Sequence, residues 1–251
     1  MACWLLAMLC TEPLFSDDLP PAACAALALG ALAHGDSNCY ARSLAARLLA
    51  SLASHSADAV ASIAASGLPV LVRVLAAEYP ENEKVHSVRL HRHAWTALRS
   101  VLALDANCEA FALHNGLAVV VQVRITTDMC HARPPSAHPP LTRASQALAR
   151  TATAHVADPD HVALLRLLMV LRRLAAVDSL RLMLGAAGVV QAIVASPLRS
   201  MRGEEHWAYH RQVSAVLHSL VAEPALRVYM AGLGLREWLL DVVRCVQPCV
   251  V

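Results

Sequence analysis

Four short segments of this chain resemble one another. In each, a glycine is followed at once by an amphipathic run that carries Val, Leu or Ile on one helical face. The four segments span residues 66–75, 115–121, 187–194 and 233–240. Glycine suits the end of a helix there, because it adopts the left-handed conformation at little cost. Repetition at intervals of a few tens of residues is typical of a helical solenoid, in which each repeat packs on its neighbours.

Composition places the chain in the all-α class. Hydrophobic residues make up 57% of its 251 residues, whereas aromatic residues make up only 4%. Most of the apolar excess is alanine and leucine, which are strong helix formers, and β-branched runs bounded by turn residues are scarce. We therefore expect stacked helices, with small alanine side chains that let neighbouring helices approach closely.

The segments around the four glycines predict a repeating unit of three helices. A short helix precedes each glycine, a second helix follows it, and a longer third helix comes after a loop. The predicted third helices span residues 38–54, 88–103, 141–156 and 206–221. A further helix at 161–176 lies in the longest interval between glycines, and we interpret it as a truncated repeat. The insertion at 126–140 is rich in proline and is predicted to be a loop.

Two motifs resemble the armadillo-repeat family, to which the HEAT repeats are related. Residues 67–72 read Gly-Leu-Pro-Val-Leu-Val, which is similar to the start of an armadillo second helix. Residues 97–101 read Ala-Leu-Arg-Ser-Val, which is similar to the third-helix pattern. The resemblance covers residues 37–247. It implies a right-handed superhelix whose third helices line a concave groove that holds extended peptides.

The predicted fold class is therefore all-α, a right-handed armadillo-like α-solenoid of degenerate three-helix repeats. We expect one armadillo-like domain over residues 1–251. Within it, residues 1–36 are expected to form a partial N-terminal repeat and residues 37–247 the main solenoid, with the loop at 126–140 inserted.

The chain departs from one branch of the armadillo family, the nuclear-import receptors. These receptors carry an asparagine late in the third helix and a tryptophan one turn before it, whereas the matching positions here hold other residues. They are Ser51, Ser100, Arg150 and Ser219 for the asparagine, and Arg47, Thr96, Gln146 and Ala215 for the tryptophan. The resemblance thus implies a peptide groove, but not one that recognises basic nuclear-localisation peptides.

The predicted third helices and the helix at 161–176 contain arginine and histidine but no aspartate or glutamate. If the third helices line a groove, as the resemblance implies, that groove is basic. Arginine suits such a site, because its planar guanidinium binds carboxylate or phosphate through two parallel hydrogen bonds. The alternative is that these arginines only keep helices rich in alanine and leucine soluble. The sequence leaves both interpretations open.

The candidate peptide-binding residues are arginine, hydroxyl and amide side chains of these helices. They are Arg47, Ser51, Arg92, Thr96, Arg99, Ser100, Arg143, Gln146, Arg150, Arg211 and Ser219. The expected partner is an extended protein segment that is acidic or phosphorylated. Nucleic acid is not the expected partner, because the net charge is only +2 and aromatic side chains that could stack on bases are scarce.

The sequence contains no motif that indicates an enzyme, a metal site or a cofactor. It lacks a phosphate-binding glycine-rich loop, a Gly-x-Ser-x-Gly elbow and a His-Glu-x-x-His pair. His86, His91 and His93 lie close together in sequence, but residues two apart on a helix point to different faces. We therefore expect neither catalysis nor a bound metal or cofactor.

Cysteine usage and hydropathy bear on the compartment. The eight cysteines show no disulfide framework, and most lie in apolar helical stretches, which favours a reducing compartment. The apolar stretch at 1–10 lacks the basic start of a secretory signal. No uncharged run reaches the roughly 20 residues that cross a bilayer. We expect a cytoplasmic protein without a membrane span, with the nucleus as the alternative location.

The expected function is that of a non-catalytic protein–protein interaction scaffold. The alternative is a structural subunit buried in a large multiprotein assembly, or a fragment of a longer solenoid. That alternative is motivated by the strongly apolar ends at residues 1–10 and 242–251, since solenoids need polar terminal caps for solubility.

Overall fold

The computed structural model describes residues 20–34, 38–122, 161–195 and 207–246. All the regular structure in these residues is helical, and they contain no β-strand. The predicted all-α class is therefore confirmed. The chain divides into two compact units, Met1–Gly116 and Leu117–Val251. Whether they belong to one repeat domain, as expected, stays a prediction.

Six α-helices form the described part of the first unit. They are α1 (Pro21–Ala33), α2 (Cys39–His55), α3 (Ala57–Ser62), α4 (Leu68–Ala76), α5 (Lys84–Val101) and α6 (Asp105–Leu113). A further helix, α7 (Gly116–Gln122), begins at the boundary between the units. The two long helices α2 and α5 correspond to the third helices predicted at 38–54 and 88–103. Helix α5 begins at Lys84, one turn earlier than the start predicted at residue 88.

Local polar residues set the start of α2 and of the helix after it. The side chain of Asn38 accepts a hydrogen bond from the backbone N–H of Ala41 at 2.8 Å, which satisfies one of the free donors at the start of α2. The Ser56 hydroxyl accepts in the same way from the N–H of Ala59 at 3.2 Å. Ser56 therefore separates α2 from α3, although alanine and leucine would favour one uninterrupted helix.

The packing of α2 against α5 forms the centre of the first unit. On each helix the buried side chains recur every three or four residues, so that one stripe is apolar. Ala45 and Leu49 of α2 are fully buried, as are Ala94 and Leu98 of α5. Helices α1, α3 and α4 cover this pair, since α1 packs on α2 and α4 packs on α5. The long helices consequently keep a second side that the described helices leave exposed.

Helices α3 and α4 are continuous through a π-turn at Ile63–Gly67. The sequence predicted a break here, with the glycine in the left-handed conformation. That prediction is wrong at Gly67, whose φ is −91°. Glycine is needed instead for a close approach, because a Cβ at this position would lie 2.8 Å from Cδ2 of Leu29 on α1.

Left-handed residues do end the corresponding short helices in the other repeats. Gly188 has a φ of 90° and Gly234 a φ of 76°, which confirms the prediction at both positions. In the second copy the left-handed residue is Asn115, with a φ of 62°, rather than Gly116. Asparagine tolerates this conformation better than most residues. Gly116 is the first residue of α7, where a Cβ would collide with the ring of Phe111.

The described part of the second unit repeats the same order of helices. They are α8 (His161–Ala176), α9 (Asp178–Ala186), α10 (Val189–Ala195), α11 (Trp207–Val221), α12 (Pro224–Gly232) and α13 (Leu235–Val246). Long helix α8 packs against long helix α11, just as α2 packs against α5. A long helix followed by two short ones therefore occurs twice in α2–α7 and twice in α8–α13.

The second unit changes the interpretation of one predicted helix. The helix predicted at 161–176 has those bounds in the structure, but it is a long helix packed on α11 and not a shortened remnant. The third helix predicted at 141–156 and the loop predicted at 126–140 lie outside the described residues. Helix α8 is therefore the first long helix in the described part of the second unit, although the sequence suggested a truncated repeat.

The continuous helix over Ala57–Ala76 is 20 residues long and apolar enough to cross a membrane by length and composition. The core helix of a globular protein has the same properties, and this helix packs against α1 and α5. One such helix is weak evidence in either direction. The expected absence of a membrane span stays a prediction.

We expect Gly116→Ala to destabilise the fold by about 1–3 kcal/mol, because the new methyl group would overlap the Phe111 ring. Gly30→Ala is the matched control. Gly30 lies within α1 with no heavy atom within 4 Å of an added Cβ, so alanine there should stabilise by about 0.5–1 kcal/mol through helix propensity. Chemical denaturation of both variants measures the difference. Equal effects would contradict the close approach at Gly116.

Candidate interaction site

Helix α2 exposes one stripe of side chains. Positions that are exposed or half-exposed follow one another at intervals of three and four residues, which places them on one face of the helix. They are Tyr40, Leu44, Arg47, Ser51 and Ser54. The stripe contains one arginine, two serines and no acid, and Arg47 lies at its centre with an exposed side chain.

Helix α5 exposes a similar stripe. Its members also follow at intervals of three and four residues, and they are Val85, Arg89, Arg92, Thr96 and Arg99. Arg89 and Arg99 are exposed, whereas Arg92 and Thr96 are half-exposed. Neither α2 nor α5 contains an aspartate or a glutamate. The stripe on α5 is therefore strongly basic.

The two helices that carry these stripes pack together and start side by side. The rings of Tyr40 and His86 meet edge to face with centroids 5.2 Å apart, and both residues lie in the first turn of their helix. The backbone N–H of Cys39 donates a hydrogen bond to Oε2 of Glu83, immediately before α5, at 3.3 Å. The helices thus run in the same direction. We call the surface formed by the two stripes, together with half-exposed Ser100, the basic face.

Hydroxyl groups on the basic face bond within their own helix. Thr96 Oγ1 donates to the carbonyl of Arg92 at 2.8 Å, and Ser54 Oγ donates to the carbonyl of Ala50 at 2.7 Å. These bonds use the hydroxyl protons and leave the oxygens as acceptors. Thr96 and Ser54 are therefore already engaged as donors, whereas the exposed guanidinium groups supply the charged donors of the face.

A cluster of side chains joins the loop after α4 to α2 and α5. The guanidinium carbon of Arg42 lies 5.5 Å from the ring centroid of Tyr79, which follows α4. The Tyr79 ring meets the His91 ring edge to face at 5.6 Å, and its hydroxyl donates to the Val74 carbonyl at 3.2 Å. Tyr79 therefore links the end of α4 to both long helices.

Burial keeps Tyr79 and His91 of this cluster, and the nearby Cys39, neutral. It raises the pKa of Tyr79 to about 12, although the charge of Arg42 acts in the opposite direction. Burial also raises the pKa of the Cys39 thiol to about 12, and the carboxylate of Glu83 adds to that effect. It lowers the pKa of His91 to about 4, against the effect of the Val74 carbonyl.

These pKa shifts argue against chemistry at the cluster. A nucleophilic cysteine needs a lowered pKa, and a general base works best with a pKa near the operating pH. Cys39, Tyr79 and His91 are shifted away from both conditions. The cluster is therefore better suited to holding the loop after α4 than to catalysis. Within the described residues, no group of three or more His, Cys, Asp or Glu side chains could hold a metal ion.

The second unit places two of the predicted site residues on α11. Arg211 is exposed and Ser219 is half-exposed, and the hydroxyl of Ser219 donates to the Ala215 carbonyl at 3.1 Å. On the neighbouring helix α8, Arg172 is exposed and its Nη1 donates to Oε1 of Gln212 on α11 at 3.4 Å. Neither α8 nor α11 contains an acid.

The predicted site residues therefore fall into three groups. Six lie on or beside the basic face of the first unit, and they are Arg47, Ser51, Arg92, Thr96, Arg99 and Ser100. Arg211 and Ser219 belong to the second unit. Arg143, Gln146 and Arg150 lie outside the described residues.

Two exposed arginines were missing from the predicted site. Arg89 lies one turn before Arg92 on the same stripe of α5, and Arg172 lies on α8. The three-residue interval between Arg89 and Arg92 could have indicated Arg89. Arg172 was missed because its helix was interpreted as a truncated repeat rather than a full long helix.

Comparison with known proteins yields a structural likeness alone. No family model matches the chain, and no curated protein matches it. Among solved structures, the chain is similar to the crystal structure of an engineered protein from the Northeast Structural Genomics Consortium. The alignment covers 88% of this chain and 89% of that chain, with a TM-score of 0.50 and 18% sequence identity. At this identity the likeness concerns the fold and carries no function.

We expect the stability of the fold to decrease as the pH falls from about 6.5 to about 4. In that interval the unfolded chain binds a proton at His91 that the folded chain excludes, because the folded pKa is the lower one. Protonation would also place a donor on Nε2, which is buried and has no hydrogen-bond partner among the described residues. The shift corresponds to a loss of up to about 3 kcal/mol, measurable by urea unfolding across this range.

The control compares two histidine variants. His91→Gln removes the titrating group and should flatten the dependence of unfolding free energy on pH. His114→Gln changes an exposed histidine and is the control for the loss of a histidine elsewhere in the chain. If both variants keep the same pH dependence as the parent chain, His91 is not the group responsible.

Proposed function

We propose that this protein is a non-catalytic scaffold that binds an extended anionic segment of a partner protein along the basic face of α2 and α5. The segment is acidic or phosphorylated. The observation that carries the proposal is the arrangement of charge on the face. Exposed Arg47, Arg89 and Arg99 lie on two adjoining helices that contain no acid.

Charge complementarity favours an anionic partner for this face. The long helices α2 and α5 contribute arginines to the face and no acid, and Arg47 and Arg89 are exposed on it. Arginine binds carboxylate and phosphate with two parallel hydrogen bonds, so each exposed guanidinium offers direction as well as charge. Such contacts at a solvent-exposed face give modest energies individually, and several must act together.

The armadillo-like arrangement is part of the same proposal. It is supported by the recurring order of a long helix and two short helices, and by the left-handed residue between the short helices at Asn115, Gly188 and Gly234. In such a solenoid the long helices would take the role of the third helices, and a right-handed superhelix would present them along one groove. The basic face then lies where armadillo proteins hold extended peptides.

A structural role in a large assembly is the second candidate function. It is favoured by large apolar side chains that remain exposed on the short helices. Leu113 of α6 is 83% exposed and Val228 of α12 is 78% exposed. Leu239 and Leu240 of α13 are also exposed. Apolar surface of this kind marks interfaces when it is contiguous. A subunit of this type would use the short helices, not the basic face.

The remaining features of the proposal concern chemistry and compartment. We propose that the protein has no catalytic activity, in keeping with the neutral, buried cluster around Tyr79. Cys24, Cys39 and Cys108 are buried and form no disulfide, which fits a reducing compartment such as the cytoplasm or the nucleus.

Reversing two charges on the basic face should weaken binding of an acidic peptide. We expect the double variant Arg47→Glu with Arg89→Glu to lose about 1 kcal/mol at each position, which together is a roughly thirtyfold weaker Kd for binding at the basic face. Fluorescence anisotropy with a labelled glutamate-rich peptide measures this at two salt concentrations. Raised salt should weaken binding to the parent chain, because exposed charges are screened.

The matched control reverses two exposed arginines that lie away from the long helices. Arg73→Glu with Arg227→Glu changes the net charge by the same amount, but on α4 and α12. This variant should keep most of the affinity. If both double variants weaken binding equally, net charge and not the basic face is responsible. If affinity purification from the protein's own cells recovers the same partners with the parent chain and with both double variants, the structural role is favoured instead.

A further inference from the structure

The second unit has a basic surface of its own. Arg172 of α8 and Arg211 of α11 are exposed, and no acid lies on either helix. Arg172 donates a hydrogen bond to Gln212, which holds the Arg172 guanidinium against α11. Gln212 directly follows Arg211 in the sequence. Two cationic groups are thus brought to one pair of long helices by the packing of α8 on α11.

The helix α11 that carries this surface aligns in sequence with helix α5 of the basic face. The pattern at 97–101 in α5 matches the pattern at 216–220 in α11, and the same offset aligns His91 with His210 and Arg92 with Arg211. Both histidines are buried, at 8% and 7% exposure, while the arginine that follows each is turned outward. The two units therefore place an arginine at the same point of an equivalent long helix.

We propose that the protein is bivalent, and that each unit binds one acidic block of the same partner segment. The inference rests on the function proposed above and identifies the partner more closely. The partner would carry two clusters of aspartate or glutamate joined by a linker, rather than one cluster. The first cluster binds the basic face of α2 and α5, and the second binds α8 and α11 at Arg172 and Arg211.

Bivalence has a consequence that a single site does not. Once one block is bound, the second binds intramolecularly at an effective concentration set by the linker, so that overall affinity exceeds that of either block alone. Weak surface contacts between arginine and carboxylate would then suffice for a specific complex. Salt dependence should be steeper for the two-block ligand, because more ion pairs form.

The test uses the full chain and two synthetic peptides. One carries a single block of about six glutamates, and the other carries two such blocks joined by a flexible Gly/Ser linker of about 20 residues. We expect the two-block peptide to bind at least about tenfold more tightly than the one-block peptide, with one peptide per chain by isothermal titration calorimetry.

Charge-reversal variants in each unit test which surface binds an acidic block of the peptide. Arg172→Glu with Arg211→Glu should reduce the affinity for the two-block peptide to about that for one block, and so should Arg47→Glu with Arg89→Glu. Arg73→Glu with Arg227→Glu should keep the tenfold difference between the peptides. Circular dichroism checks that each variant folds. If the reversal in the second unit unfolds the chain, Arg172→Gln with Arg211→Gln replaces it and should narrow the tenfold difference.

Three outcomes would overturn bivalence. One is equal affinity of the parent chain for both peptides. Another is an unchanged affinity after the changes at Arg172 and Arg211. A third is a stoichiometry of two chains per two-block peptide. In each case the function proposed for the basic face survives if Arg47→Glu with Arg89→Glu still weakens binding of the one-block peptide. If that variant has no effect either, both proposals fail.

Discussion

Each unit is organised around two long helices that pack against each other. In the first unit, alanines and leucines on one side of α2 and α5 interlock, and small residues such as Ala45 and Ala94 let the two backbones approach. The short helices cover this pair from one side. Packing therefore determines which stripe of each long helix stays exposed. The positive charge of that stripe is the main chemical feature of this surface.

Electrostatics and packing act on different sides of the same helix. Apolar residues on the covered side of each long helix stabilise the fold by packing. On the exposed side, the long helices contribute arginines and no acid. At the end where α2 and α5 begin, Tyr79 fixes the loop after α4 against Arg42 and His91. This contact lies on the covered side of the two helices, because Arg42 and His91 are each two residues away from a member of the exposed stripe on their own helix.

The sequence predicted the helices better than the turns between them. Period and composition located the long helices, because amphipathic spacing survives in a degenerate repeat. The role of Gly67 was not predictable in this way, since the close approach of Leu29 comes from a helix distant in sequence. Asn115 was not predicted to be the left-handed residue, because the glycine that follows it is the residue that usually adopts that conformation. For the site, the absence of acids was readable from sequence, but the exposure of Arg89 required knowledge of which side of α5 is covered.

In the proposed function, an anionic segment binds along the exposed side of the long helices. Site-specific photo-cross-linking would locate that segment, with a benzophenone amino acid placed in turn at Ser51, at Thr96 and at Ala61. The first two lie on the basic face, and Ala61 is exposed on α3. We predict that a glutamate-rich peptide cross-links at Ser51 and Thr96 and not at Ala61. Cross-linking at Ala61 with none at the other two positions would contradict the account.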